Sequence, residues 1–207
     1  MLKLDVLPTG PLGVNCSLIW DPASGEGVVV DPGGHAPRIQ ARVAQLGFRV
    51  QAVLLTHAHF DHLGGAQALQ THYGVPVYLH AEDHPLLDLL PIQVDAFGMD
   101  PIPAPTVTPL TEGQLLHGLT VLHTPGHSPG GCCFLGQGEG GPILAVGDTL
   151  FAGGVGRTDL WGGSWDQLEQ SIRTRLYPLD DQTHVIPGHG PATTIGEEAE
   201  SNPFVSR

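Results

Sequence analysis

Positive charge is scarce in this chain. Its 207 residues include 8 lysines and arginines against 21 aspartates and glutamates, a formal net charge of −13. No basic stripe is available to grip nucleic acid, and no polybasic patch to draw the chain to a membrane. Long apolar runs are missing too, so no segment reaches the roughly 20 residues needed to span a bilayer. The start, Met1-Leu2-Lys3-Leu4-Asp5, lacks the charged, then apolar, then small order of a signal peptide. The expectation is a cytoplasmic protein acting on a small molecule, with no nucleic-acid or membrane partner. Cysteine is sparse: Cys16, Cys132 and Cys133 are odd in number and two are adjacent, which excludes a disulfide framework. All three lie in apolar, strand-like runs and are expected to be buried thiols.

Glycine and proline, by contrast, are plentiful at 29 and 19. Well-formed apolar runs separate them, so they mark sharp turns rather than disorder. The length suits one domain with a sizeable core.

The most informative stretch runs from Val53 to Gly65. An apolar, β-branched run ends at Thr56, and His57, His59, Asp61 and His62 follow within six residues. The run reads as a buried strand, so these side chains sit where a strand ends and a loop begins, the usual place for sites in open α/β sheets. Residues two apart on an extended segment face the same way, so His57 and His59 can converge, while Asp61 and His62 face a neighbouring point. Imidazole and carboxylate are ligands for zinc and for other first-row metals. Four on one segment exceed the needs of one ion with an open position, and the spacing suggests two adjacent metals.

Before this stretch, Lys3 to Leu7, Val14 to Trp20 and Val28 to Val30 read as strands. The third ends at Asp31, either a turn cap or a buried partner for a histidine. Pro37 opens a helix with Ile39, Val43 and Leu46 at helical spacing and Gly47 as its stop. After it, a helix is expected from about His62 to Tyr73, with Gly64 and Gly65 permitting close backbone approach. A strand over Val75 to Leu79 and a short helix over Glu82 to Leu90 come next. Residues 91–109 hold five prolines and read as a stiff connector without helical or strand period. Within it, Phe97 and Met99 either line a pocket mouth or pin the loop to the core. Hairpin strands flank His117-Gly118. Further strands cover Gly131 to Leu135, Ile143 to Val146 and Val185-Ile186. Ser164 to Gln167 forms a capping box, opening a helix with Trp165, Leu168, Ile172 and Leu176 inward. Strands mixed with helices indicate a mixed α/β class.

Later motifs add Thr124-Pro-Gly-His127-Ser-Pro-Gly130, Val146-Gly-Asp148-Thr-Leu-Phe151, Gly156-Arg157-Thr-Asp159 and Pro187-Gly-His189-Gly190. The other seven histidines, His35, His72, His80, His84, His117, His123 and His184, lack such context and are read as surface or structural. His57-x-His59-x-Asp61-His62 resembles the signature of the metallo-β-lactamase superfamily. With the later motifs in this order, nearly the whole chain is similar to the glyoxalase II branch, especially its short single-domain members.

That resemblance implies a four-layer αββα sandwich, a single domain over residues 1–207. It implies two divalent metals, zinc first, with iron or manganese as alternatives. His57, His59 and His127 would bind one metal and Asp61, His62 and His189 the other, with Asp148 bridging. Asp61 and Asp148 become the catalytic carboxylates beside a metal-bridging hydroxide. Asp31 becomes a buried acceptor behind a ligand histidine. The implied reaction is hydrolysis of a 2-hydroxyacyl thioester, with S-lactoylglutathione the first candidate. Arg157 would attract a substrate carboxylate or, alternatively, order its loop by pairing with Asp159.

The chain also departs from the longer glyoxalases. Only 18 residues follow His189, so the C-terminal helical domain that holds much of the glutathione has no counterpart. Asp159 and Pro191-Ala192-Thr193 stand where those enzymes carry aromatic residues. The main alternatives are a persulfide dioxygenase holding one iron with His57, His127 and Asp148, and a lactonase. Asp148 disfavours a β-lactamase, and the full ligand set disfavours a non-catalytic metal binder. The oligomeric state is left open.

Overall fold

The computed structural model describes residues 1–207. Six strands form the first sheet in sequential order: β1 (Lys3–Thr9), β2 (Val14–Asp21), β3 (Glu26–Val30), β4 (Arg49–Leu54), β5 (Val77–His80) and β6 (Val107–Leu110). The first three pair antiparallel, and β3 to β6 run parallel. Parallel neighbours need crossovers. These are α1 (Ala36–Leu46), then α2 (Phe60–Leu63) with α3 (Ala66–Tyr73), then a 3-10 turn (Ala81–Asp83) with α4 (His84–Asp88) and α5 (Leu90–Ala96).

A second six-stranded sheet contains β7 (Leu115–Leu116), β8 (Leu119–His123), β9 (Cys132–Gly138), β10 (Gly141–Gly147), β13 (His184–Pro187) and β14 (Thr193–Thr194), in the order β14-β13-β10-β9-β8-β7. A small hairpin, β11 (Leu150–Phe151) with β12 (Gly154–Val155), follows β10. Helix α6 (Trp165–Ser171), continued by a wide π turn (Ile172–Leu176), and α7 (Ile195–Ser201) cover this sheet.

Strand β4 and the residue after it show how the layers arise. Val53 and Leu55 pack with Ile39, Val43, Leu63 and Leu69 of the helices. Ala52 and Leu54, on the opposite face, pack with Val121, Phe134, Ala145 and Ile186 of the second sheet. Alternation along a strand therefore feeds two cores at once. A third core joins the outer face of the second sheet to Leu168, Ile172, Leu176 and Ile195. The result is helix, sheet, sheet, helix. The ends of β3, β4, β5, β10 and β13, with the β8–β9 loop, share one edge of the sandwich.

Several expectations are corrected. The helix expected from His62 to Tyr73 is broken into α2 and α3, because the Gly65 amide donates to Pro32 O at 2.7 Å. A Cβ on Gly64 would lie 2.6 Å from Gly33 O, so that approach requires glycine. Residues 91–109 are not a featureless connector. Pro91 sits in the first turn of α5, where a missing N–H costs nothing, and β6 takes Pro109 at the sheet edge. Met99 packs on the core, whereas Phe97 is exposed. Trp165 does not face inward and is 38% exposed, while Leu168, Ile172 and Leu176 are fully buried. The three cysteines are free and buried.

Candidate metal centre

Each sheet delivers part of one cluster. His57 lies in the bend after β4 and His59 in extended backbone just before α2, and Asp61 and His62 occupy the single turn of α2. His127 comes from the β8–β9 loop, Asp148 follows β10, and His189 follows β13. Nitrogen or oxygen atoms of His57, His59 and His127 all lie within 4.8 Å of one another, as do those of Asp61, His62 and His189, and those of His57, His62 and Asp148. All seven residues named from the motifs thus converge.

Asp148 stands between the two histidine groups. Its Oδ1 is 3.3 Å from His62 Nε2, and its Oδ2 is 3.7 Å from His127 Nε2 and 3.8 Å from His189 Nε2. His189 Nε2 also lies 3.1 Å from Asp61 Oδ2. Close approach here needs residues without a Cβ: one on Gly188 would fall 2.2 Å from Asp148 Oδ1. Main-chain and side-chain bonds from Asn15 to Pro187, Gly188 and Gly190 hold that last loop against β2.

Hydrogen bonds at the far ring nitrogens set the tautomers. His62 Nδ1 donates to Asp31 Oδ2 at 2.9 Å. Thr56 donates its hydroxyl to the same oxygen at 2.6 Å and lies 3.0 Å from His57 Nδ1, which can donate to it. His127 Nδ1 donates to the Arg157 carbonyl at 2.7 Å. In its neutral form, each of these three imidazoles therefore presents a bare Nε2 inward. His57 Nε2, His62 Nε2 and Asp148 Oδ1 are buried and lack any hydrogen-bond partner. His59 Nδ1 and His127 Nε2 approach to 2.9 Å, a distance that a proton on His59 Nδ1 bridges as a hydrogen bond and that also suits two ligands of one cation. Unpaired buried acceptors are costly, and cations facing these atoms remove that cost. The donor set fits divalent first-row metals.

Electrostatics follow the same division. Burial and the neighbouring imidazoles push His57 far below the ordinary histidine range and His59 down to about 3. Burial also lowers His127, against Asp148. For His62 burial acts downward too, but Asp148, Asp31 and Asp61 outweigh it and raise the pKa. Burial works against the Asp61 and Asp148 carboxylates, yet His62 and the other histidines keep both below their usual range. One side of the cluster thus favours neutral imidazoles, and the other concentrates negative charge.

The remaining expected residues are also placed. Asp31 is buried, accepts from the Thr56 amide at 2.8 Å as well, and adopts a left-handed backbone (φ 48). Arg157 lines the cavity above the cluster, but its Nε and Nη2 donate to Asp159 at 2.6 and 2.8 Å. His123 Nε2 bonds to Pro129 O, and its ring stacks on His80.

Sequence reasoning missed Asp83. It is fully buried and accepts from the Ala58 amide (2.9 Å), the Ser128 hydroxyl (2.9 Å) and the Gly130 amide (2.6 Å). One carboxylate thereby ties the His57–His59 loop to the His127 loop. Its signal was position, just past β5 at the same edge as every other site residue. Gln93 of α5 adds a second tie, donating to Ala58 O and accepting from the Phe60 amide.

This constellation has counterparts. The family model for the metallo-beta-lactamase superfamily matches residues 9–194. The chain belongs to that superfamily. Within it, hydroxyacylglutathione hydrolase GloC of Haemophilus influenzae is 39% identical, covering 99% of each chain. The crystal structure of TTHA1623 in a di-iron-bound form superposes with a TM-score of 0.88 at 41% identity, covering 97% of this chain and all of the other. The BLEG-1 B3 metallo-beta-lactamase superposes with a TM-score of 0.89 at 39% identity, over the full length of both. The mixed α/β architecture with two sheets is that of the superfamily, and the His/Asp clusters make this chain a metallo-hydrolase of that family.

Proposed function

We propose that this metallo-hydrolase cleaves 2-hydroxyacyl thioesters of the S-lactoylglutathione type at a dinuclear centre. The observation that carries it is Asp148, whose two oxygens face His62 on one side and His127 and His189 on the other. In this reading His57, His59 and His127 would hold one divalent cation, Asp61, His62 and His189 would hold the second, and Asp148 would serve both. Such cations supply acidified water at neutral pH and positive charge for a carbonyl oxygen. The chain's own residues do the rest. Asp31 and Thr56 keep His62 and His57 in the Nε2-bare tautomer, and the Arg157 carbonyl does so for His127. A thiolate leaves without a strong general acid, which suits a site whose Asp61 and Asp148 carboxylates are held ionised. The likeness to GloC supports the substrate class, and the di-iron-bound neighbour keeps iron beside zinc and manganese as the metal.

The test is hydrolysis of S-D-lactoylglutathione by protein purified without added metal, with metal content measured on the same sample. Turnover with about two metals per chain, lost in Asp148→Ala, is expected. About one iron per chain with oxygen uptake on glutathione persulfide would replace this reading with the dioxygenase. Turnover of a β-lactam or lactone but of no thioester would keep the metal centre and change the substrate.

A further inference from the structure

We infer that this site prefers a thioester whose thiol arm is apolar and uncharged, an aryl or alkyl group, over one whose arm is peptide-like and bears carboxylates. The inference rests on the thioester reading and narrows it. Above the histidines lies a cavity of about 610 Å³, within the range of small-molecule sites. Eleven of its eighteen lining residues are hydrophobic. Leu12, Ile92, Phe97, Phe151, Leu160 and Trp161 form its outer wall, contributed by the β1–β2 turn, α5 and its end, β11 and the loop after β12. Phe97 is pinned there by a tilted contact with Phe60 at 4.7 Å between centroids.

Large apolar side chains exposed singly need no explanation, but contiguous ones do. Ile92 is 66% exposed, Phe97 60%, Trp161 49% and Leu12 48%. All four line this one cavity, whose floor is His59, Asp61, His127, Asp148 and His189. Whatever reaches the floor must lie against them, and burying an apolar arm there gains about 25 cal/mol per Å².

Charge argues the same way. Arg157 is the only lysine or arginine in the lining, and Asp159 already occupies two of its donor positions. An arm with two carboxylates would need charge-assisted partners to offset its desolvation. Arg157 is already neutralised by Asp159, and the chain as a whole carries a net charge of −13.

The test compares two unreactive thioethers, the 2-hydroxypropyl derivatives of benzyl mercaptan and of glutathione, by calorimetric titration of the metal-loaded protein. The benzyl compound is expected to bind at least tenfold more tightly. Trp161→Ala with Phe97→Ala should collapse that ratio towards one. Ile92→Lys, at an exposed position that tolerates the change, should move it in the same direction if the double variant folds poorly. Equal or tighter binding of the glutathione compound, or binding of neither, overturns the inference. Parallel hydrolysis of the two S-lactoyl thioesters separates it from the reading beneath. A benzyl preference in binding without turnover of either thioester keeps the apolar arm and discards the thioesterase. Turnover of both with equal kcat/KM does the reverse.

Discussion

Asp31 holds His62 at 2.9 Å through a carboxylate that reaches it from a left-handed backbone (φ 48). The same oxygen receives the Thr56 hydroxyl, which in turn lies against His57. One aspartate at the end of β3 therefore orients two imidazoles that belong to different halves of the cluster. Neither imidazole could keep its inward Nε2 bare without a partner at Nδ1.

Asp31→Asn tests that relationship. Asparagine tolerates the left-handed region, so the backbone is preserved and only the acceptor chemistry changes. Its amide nitrogen would oppose a donor, the Thr56 amide, the Thr56 hydroxyl or His62. Metal affinity is expected to fall by about 10- to 100-fold, read by competition with a chromogenic chelator. Unchanged affinity would remove Asp31 from the orienting role.

Metal removal should destabilise the fold. Buried His57 Nε2, His62 Nε2 and Asp148 Oδ1 have no protein partner, and ligands that bind only the folded state stabilise it by mass action, about 2.7 kcal/mol at a hundredfold excess over Kd. For a chain of this size that corresponds to roughly 5–10 °C in Tm. Thermal melts with and without a strong chelator should show this drop, and readdition of metal should restore it.

Asp83→Asn should loosen the two loops that Asp83 ties together. Three donors converge on its carboxylate, whereas an amide offers one oxygen and adds a donor. Leaving a buried donor unsatisfied costs about 1–3 kcal/mol, so Tm should fall by at least about 2 °C. If two metals are held as proposed, the one at His57, His59 and His127 should weaken more than the other, seen as loss of one metal per chain on mild dialysis. Equal loss of both would show that Asp83 supports only the fold.

The thiols should be inert until the protein unfolds. Burial raises Cys16 and Cys132 well above the ordinary thiol value of 9.0 and Cys133 to about 11. An aromatic disulfide reagent at pH 8 should find almost no reactive thiol in the native protein and three after denaturation. The sign of the pH effect on stability follows. A raised folded pKa means stability present below the unfolded pKa and lost as pH rises through the folded value. Between pH 9 and about 11, Cys133 alone should contribute a loss of about 1.4 kcal/mol per pH unit. Denaturant midpoints measured across that range, with and without Cys133→Ala, check it.

The motifs were legible because each combines a local backbone need with a chemical one. A β-branched run ending in His57-x-His59 announces a buried strand and its exit. Pro-Gly before His127 and His189 announces a corner. Gly47, at φ 75 with its amide on Val43 O, stopped α1 as its sequence indicated. Legibility failed where tertiary contacts overruled local pattern. The long helix after Asp61 broke because Gly64 and Gly65 pack on the Pro32–Gly33 backbone. Residues 90–96 became helical because Pro91 falls in the first turn and Leu90 and Val94 bury against the first sheet's helices. Trp165 turned outward although its spacing matched the inner face.

By itself, the sequence determined which side chains could serve a metal centre, that they leave strand ends, and that the chain mixes strands and helices, because spacing and strand period are local properties. Only the tertiary structure decided that Asp148 stands between two histidine groups, that Asp83 and Asn15 brace their loops, and that Ile92, Phe97 and Trp161 share one wall. Those relationships join residues tens to more than a hundred positions apart, and they exist only once two sheets pack face to face and bring their strand ends to a common edge.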